Sequence, residues 1–384
     1  MFRAVEQKMK KFEKQKLLLI GVEPHSLINF RRELIKAFEK IGKNVITVSL
    51  PLSILQEEYF SQKKINHVSV FFRRNGINPI ADLRSLFAIF RLYRQQRAEI
   101  VLAYTIKPII WGGIAARLAG VKFYALVTGL GFAFQGESFK RKLLTKFVSF
   151  LYKVALSHAT KVIFQNEDNR QFFVSRRIVP IEKTGVVNGS GVDLTHFFYS
   201  PTVMTQPIRF LCMARLLGEK GLREYAKSAE IVKRHYPQVE FLLVGPEDAS
   251  PDGIPIDEIK SWGVLGTVDY QGSTLDVRPF IQRSHVYVLP SYHEGLPRST
   301  IEAMSIGRPV ITTTAVGCRE TVECGVNGFK VPVADAQALA EKMIWFVEHP
   351  EQIVSMGLAS RRMVEEKFDV HKVNATMLEI MELQ

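Results

Sequence analysis

The sequence predicts an α/β protein built from two doubly wound, Rossmann-like domains that face one another across a cleft. Three observations carry this. From residue 16 onward, short apolar runs of strand length alternate with longer runs of helical period. The alternation halts at a polar, proline-containing stretch and then begins again. The chain has 384 residues, 47% apolar and 23% charged, which is enough for two ordinary cores.

The elements follow in order. KLLLIG (16–21) is a short buried strand running into a loop, and Phe30 to Ile41 has a helical period that stops at Gly42. NVITVS is the next strand, then AEIVLAY (98–104), a helix through GGIAARLAG with Gly112-Gly113 at its start, KFYALV, a long basic helix and KVIFQN. These give a first domain over residues 1–194. FFYSPTVMTQP has no period and no buried character, so 195–207 is expected to be a linker. The second domain, 208–384, repeats the pattern with IRFLCMARL, a helix from Leu222 to His235, VEFLLVG, VDYQG, HVYVLP, a helix from Arg298 to Ile306, and PVITTT. From about Asp335 the chain is nearly all helix, and the last helix is expected to pack back on the first domain.

Several classes are excluded or disfavoured. No stretch approaches the roughly 18 consecutive apolar residues of a spanning helix, and the basic N-terminus lacks an apolar signal region, so a cytoplasmic protein is expected. Cys212, Cys318 and Cys324 have no metal-ligand spacing. Neither half has a three-glycine dinucleotide fingerprint or a Walker loop, which disfavours a nicotinamide enzyme. Charge is unevenly placed: residues 1–200 hold 32 Lys and Arg against 14 Asp and Glu, a net +18, while the remainder nets −5. A basic half is drawn to anionic lipid, to a phosphorylated substrate or to nucleic acid. KRKLLTKFVSFLYKV has the alternation of a basic amphipathic helix at a membrane surface, and equally of a solvated helix face. Residues 1–16, with Met1, Val5, Met9 and Phe12 along one side, are a surface anchor or a frayed extension. The aromatic residues fall at core periods rather than among the basic ones, which weighs against nucleic acid.

Two constellations can carry chemistry. In SYHEGLPRSTIEAMSIGRPVI, Pro297 suits a first helical position and Gly307 the stop, so the free N–H groups of Arg298, Ser299 and Thr300 form a backbone anion site at the end of a buried strand. Glu294 precedes that helix and Glu302 lies about one turn inside it. Two carboxylates beside an anion site make sense as acceptors for hydroxyls at the two ends of a sugar nucleotide. The plainer alternative is a solvated loop glutamate and a helix-dipole charge. In ARLLGEKGLREY, Arg215 and Lys220 flank a loop after a strand. A planar fork and a compact cation can hold a diphosphate, or simply serve surface salt bridges.

Taken together, the Arg215 and Lys220 loop, Gly245 in LLVGPED, the Glu294 and Glu302 pair, GRPVI, AVGCRETV and GVNGFKVPVAD resemble the family 4 glycosyltransferases of the two-domain GT-B fold. YTIKPIIWG, LVTGLGFAF and NGSGVDLTHF are similar to a bacterial subgroup that extends polyprenyl-diphosphate-linked sugars, including enzymes adding N-acetylgalactosamine to undecaprenyl-diphosphate-bacillosamine. The resemblance implies that Glu294 binds a hydroxyl of the donor sugar and Glu302 the ribose hydroxyls. It implies that Arg215 and Lys220 neutralise the departing diphosphate, aided by Gly295, Leu296, Pro297, Arg298 and Ser299, with Gly245 in the donor site. It further implies a UDP-sugar donor, no metal or other cofactor, retention of anomeric configuration and a lipid-linked saccharide acceptor, with the protein held peripherally on an anionic membrane surface.

The chain departs from the family where many relatives place a histidine, reading Thr128-Gly129-Leu130-Gly131 instead. Thr128, Gly129 and Gly131 are therefore acceptor-side candidates without an assigned base. His25, in a loop near the expected cleft, and Lys107, in a TIKP turn, are further candidates, each with the alternative of an exposed loop residue. A sugar-nucleotide epimerase or a transferase with a soluble acceptor is the second reading, and a nucleic-acid-binding protein a remote third.

Overall fold

The computed structural model describes residues 14–71, 78–129 and 139–383. The expectations placed on residues 1–13 and on Gly131 fall outside them. The chain divides into two compact units, 1–187 with 374–384, and 188–373.

The first unit holds a seven-stranded parallel sheet made of β1 (Lys16–Ile20), β2 (Asn44–Ser49), β3 (Asn66–Ser69), β4 (Ile100–Tyr104), β5 (Lys122–Val127), β6 (Lys161–Phe164) and β7 (Thr184–Val186), in the order β3-β2-β1-β4-β5-β6-β7. Leu17 to Ile20 are fully buried because β1 is central, with Leu18 beside Ile46 on one edge and Val101 on the other. The strand order reverses direction between β1 and β4, so loops leaving their carboxyl ends diverge there and leave a crevice. The helices are α1 (Pro24–Phe30), α2 (Arg32–Lys40), α3 (Ile54–Gln62), α4 (Pro79–Gln96), α5 (Ile106–Ala119), α6 (Phe139–Leu156) and α7 (Glu167–Ser175). Right-handed crossovers put α4, α5 and α6 on one face, with α5 packed between the other two.

The second unit repeats the plan with β8 (Arg209–Met213), β9 (Glu240–Val244), β10 (Asp269–Tyr270), β11 (Val286–Leu289), β12 (Val310–Thr313) and β13 (Gly328–Val331), in the order β10-β9-β8-β11-β12-β13. Here the switch lies between β8 and β11. Its helices are α8 (Leu222–His235), α9 (Ile256–Val264), α10 (Arg278–Gln282), α11 (Arg298–Ile306), α12 (Ala336–Glu348) and α13 (Glu351–Met363), a π-helical turn (Val364–Phe368), and α14 (Val370–Ile380), whose end belongs to the first unit. No helix among the described residues is long and apolar enough to cross a membrane.

The structure differs from the sequence expectations at several points. The helix read as Phe30 to Ile41 is α2, and the stretch before it, read as a loop, holds a separate short helix, α1, which Pro24 opens and which ends at Phe30, with Arg31 between the two. Gly112-Gly113 lie inside α5, not at its start. Pro108 sits in the first turn, where its missing N–H costs nothing, and so reads as a turn in sequence. Those glycines do serve close packing: a Cβ on Gly113 would lie 2.7 Å from the Ala155 carbonyl oxygen of α6.

The boundary also falls earlier than residue 194, and 195–207 is no free linker. Phe197 is buried in the second unit's core, and the Ser200 N–H donates to the Ile306 oxygen at 3.1 Å. The fully buried Arg308 donates to the Ser200 oxygen and Thr202 Oγ1 at 2.9 and 2.8 Å, and to the Ile281 and Gln282 oxygens, both at 2.9 Å. This strap has no secondary structure because side chains, not strands, satisfy its carbonyls.

The tail returns to the first unit. Tyr124 donates its hydroxyl to the Met381 oxygen at 2.9 Å, Met381 is fully buried, and Ile380 packs so closely on Gly185 that a Cβ there would lie 2.7 Å away.

Candidate active site

At the second unit's switch point, the loop after β8 (214–221) and the loop after β11 (290–297) leave the sheet side by side. Gly221 permits this: its φ is +69°, and a Cβ would stand 2.1 Å from the Pro290 carbonyl oxygen. The two loops are then stitched together. The Glu219 oxygen accepts the Tyr292 N–H at 2.9 Å and the Ser291 hydroxyl at 3.2 Å. From behind, the Glu294 N–H donates to the Val316 oxygen at 2.9 Å, and Gly317, at φ +82°, lies against the Glu294 carbonyl. The AVGCRETV segment thus backs the glutamate.

The result is a partly buried ion pair, Lys220 Nζ to Glu294 Oε1 at 2.7 Å. Burial pulls the Lys220 ammonium down, but Glu294, through charge and hydrogen bond, outweighs it, and Lys220 titrates above its ordinary range. It carries a full positive charge at neutral pH.

Arg215 belongs to the same loop, but its guanidinium is paired with the buried Asp248 at 2.6 Å. Burial alone would raise the Asp248 carboxyl; hydrogen bonds from Ser250 and the Arg215 charge overcome that and hold it below the usual range. Gly245 is a close-approach position. A Cβ there would sit 1.7 Å from the Ala214 oxygen, so only glycine lets the end of β9 pass beside the Arg215 loop.

The helix α11 begins at Arg298, with Pro297 one position outside it as N-cap. The expected first helical position is off by one because proline's fixed φ suits both sites. No side chain caps this end, so the first-turn N–H groups remain available as donors. Tyr287 of β11 brings its hydroxyl 2.6 Å from Ser299 Oγ and 3.2 Å from the Met213 oxygen, tying the helix start to the end of β8. Leu296 packs on the core and against Gly189. The Gly295 carbonyl lies against Gly317.

Glu302 is turned toward Arg298, whose Nε donates to Oε1 at 2.8 Å. Burial pushes the Glu302 carboxyl up, and Arg298 pulls it partly back. Among the described residues no three or more His, Cys, Asp or Glu side chains gather as a metal-holding group.

Lys220, Glu294 and residues 295–299 therefore converge, with Arg215 at the start of the Lys220 loop, paired with Asp248, and Glu302 one helical turn behind. The sequence missed Asp248 and Tyr287. Asp248 stood in the quoted LLVGPED loop, at a strand end, where a partner for Arg215 belongs; Tyr287 reads only as a core strand residue.

In the first unit, Lys107 lies in the first turn of α5, not a free turn, and pairs with the buried Asp82 at 2.9 Å. It follows Thr105, whose φ of +67° is rare for a β-branched residue. Thr128 and Gly129 directly follow β5 and are half-buried. His25 is helical, not in a loop, because Pro24 opens α1. It is exposed, with Nε2 2.8 Å from Asn29 Nδ2.

Two parallel sheets with helices, in two units, and a basic loop beside an uncapped helix start define a GT-B type glycosyltransferase. The fold agrees with solved structures: the Anabaena protein HepE in complex with UDP and glucose matches with a TM-score of 0.76 over 96% of this chain and 100% of that one, at 19% identity. A Rickettsia africae glycosyltransferase matches at 0.74 over 96% and 98%, with 18% identity. The family description "Glycosyl transferases group 1" matches residues 207–349, and "Glycosyl transferase 4-like" matches 17–166. The chain belongs to these glycosyltransferases. It is 28% identical over 84% of its length, and 87% of the relative's, to the N,N'-diacetylbacillosaminyl-diphospho-undecaprenol alpha-1,3-N-acetylgalactosaminyltransferase of Campylobacter jejuni. It is 27% identical over 70% of its length, and 71% of the relative's, to the Escherichia coli UDP-Gal:alpha-D-GlcNAc-diphosphoundecaprenol alpha-1,3-galactosyltransferase.

Proposed function

We propose that the enzyme transfers a hexose or N-acetylhexosamine, N-acetylgalactosamine first among them, from a UDP-sugar to a polyprenyl-diphosphate-linked saccharide in surface-glycan or glycoprotein assembly, with retention of anomeric configuration. The observation that carries the reading is the Lys220–Glu294 pair beside the uncapped start of α11. Cleaving the bond between the anomeric carbon and the diphosphate leaves negative charge on the diphosphate. Lys220 and the α11 amides stabilise that charge as it grows, and Arg215 joins them by exchanging Asp248 for phosphate oxygens. Glu294, freed from Lys220 by the arriving diphosphate, accepts a sugar hydroxyl and fixes the anomeric carbon, and Glu302 accepts the ribose hydroxyls. The acceptor hydroxyl attacks from the face the diphosphate leaves. Lys107, Thr128, Gly129 and His25 are proposed on the acceptor side. The positive charge needed at the diphosphate comes from the chain itself, so turnover is expected to continue in EDTA. The activities for which the Campylobacter and Escherichia relatives are named support the acceptor class.

The test is UDP release from a panel of UDP-sugars, with and without lipid-linked acceptors. Release from UDP-N-acetylgalactosamine that depends on the lipid fraction is expected. Silence with every UDP-sugar in both conditions would remove the reading.

Work on a lipid-linked acceptor calls for a membrane-facing surface, and α4 and α6 of the first unit are proposed to supply it. Exposed Ile80, Leu83 and Phe87 line α4, and exposed Leu143, Phe147 and Phe150 line α6. Each row follows helical spacing. Arg84, Arg91 and Arg94 on α4 and Lys142, Lys146 and Lys153 on α6 are also exposed. Apolar rings insert among lipid tails while cations meet anionic headgroups. Sedimentation with anionic vesicles is expected to carry the protein down. The Phe147→Glu/Phe150→Glu variant should bind at least about tenfold more weakly, given the apolar burial it forgoes. Equal binding of both proteins would dismiss this face.

A further inference from the structure

The proposed role of Glu302 raises a question of geometry, since a carboxylate can accept two ribose hydroxyls only if it is ionised and held in one orientation. Arg298 meets both needs. Its Nε donates to Glu302 Oε1 at 2.8 Å, one helical turn away, and each side chain is about nine-tenths out of water, at 14% and 13% exposure. The guanidinium is itself anchored from outside the helix. Its Nη1 donates to the Gly191 carbonyl and lies 3.4 Å from Ser190 Oγ, and its Cζ lies 5.9 Å from the centre of the Phe197 ring. An ordinary i,i+4 brace on a helix surface has no such second anchor. One lone pair of Oε1 is used by the arginine, which leaves the other and both of Oε2 for hydroxyl protons.

We propose that Arg298 is a positioning residue for nucleotide recognition: held by the NGSG loop, it fixes the Glu302 carboxylate for the ribose 2′ and 3′ hydroxyls. This rests on the reading of Glu302 as the ribose acceptor. Charged groups on the elements packed against α11 are Glu351, Arg361 and Arg362 of α13, Glu365, Glu366 and Lys367 of the π-helical turn and Arg278 of α10, with Tyr287 the titratable group on β11. Arg361 is paired with Glu365 and Arg278 with Asp276. Among the described residues, Arg298 alone forms an ion pair with Glu302. Without it, burial is unopposed, the carboxyl protonates more readily, and a protonated Glu302 offers fewer acceptor sites.

The experiment is calorimetric binding of UDP and 2′-deoxy-UDP, with GDP and ADP and their 2′-deoxy forms in parallel, to the wild type, Arg298→Met and Glu302→Gln. For the diphosphate that the wild type binds, a preference for the ribose form is expected, and Glu302→Gln should abolish it. Arg298→Met should cut the preference by about tenfold. The variant's affinity for the ribose form should also fall as pH drops from about 8 to about 6, where the wild type changes little. If Glu302→Gln loses the preference while Arg298→Met keeps it with a flat pH profile, the arginine is only a helix brace and the proposal fails. If Glu302→Gln retains the preference, the ribose role of Glu302 itself is wrong.

Discussion

Replacing Lys220 with alanine is expected to lower kcat/KM for nucleotide-sugar consumption at least thirtyfold, about 2 kcal/mol of transition-state stabilisation, with the fold intact. In the proposed mechanism the ammonium sits where the diphosphate charge grows, in a place that water reaches poorly, and there a single fixed charge is worth far more than at a surface. The loop does not depend on that side chain for its shape. It is held by Gly221 against Pro290, by the Glu219 oxygen to residues 291 and 292, and by the Glu219 N–H to Asp252 Oδ2 at 2.8 Å. Glu294→Ala should cost a similar amount through loss of sugar placement, and the double variant should lose less than the sum, because each side chain positions the other. Steady-state kinetics with a UDP-release assay checks this, alongside a melting curve for each variant. Unchanged turnover in both single variants would remove the assigned site.

The second large effect is one of stability. Arg308→Met should destabilise the second unit by at least about 3 kcal/mol, because the fully buried guanidinium's bonds to the Ser200 and Gln282 carbonyls and to Thr202 Oγ1 would be lost, along with one of the donors to the Ile281 carbonyl, which Ser284 also serves. For a unit of this size that is a fall in melting temperature of about 6–12 °C. The guanidinium is so enclosed that burial lowers its pKa to about 10, yet at neutral pH it remains charged. Losing it should also open the 195–207 strap to proteases, which limited digestion would read directly. A midpoint within about 2 °C of the wild type would mean that water or a rearranged strap takes over the arginine's bonds.

The same arginine marks where sequence stops being legible. Arg308 stands in GRPVI, a match that points to a family but says nothing of the strap it holds, and without Arg308 that strap reads as a linker. Hydrophobic alternation made the central strands legible, since β1, β4, β5, β8 and β11 are buried on both faces and read as unbroken apolar runs. The edge strand β3 (NHVS) was not, being short, polar and half-exposed. Glu294, Lys220 and the start of α11 were legible because strand, proline and glycine punctuate them. That Lys220 touches Glu294 was not, for it depends on Gly221 and Gly317, which bring three loops together across long sequence separation. Glu302 was legible as a residue but not as half of an ion pair, because the arginine's second anchor lies more than a hundred residues earlier.

The return of residues 374–383 to the first unit bears on how the protein is made. On the ribosome, β1 to β7 emerge first, yet the segment that covers Tyr124 and Gly185 is translated only after the whole second unit. At a synthesis rate of about 5–20 residues per second, that interval is roughly 10–40 s. Through it the first unit keeps an uncovered apolar seam where Met381 and Ile380 will sit. The nascent chain therefore carries that seam exposed until residues 374–383 are made, so the unit that begins first is finished last.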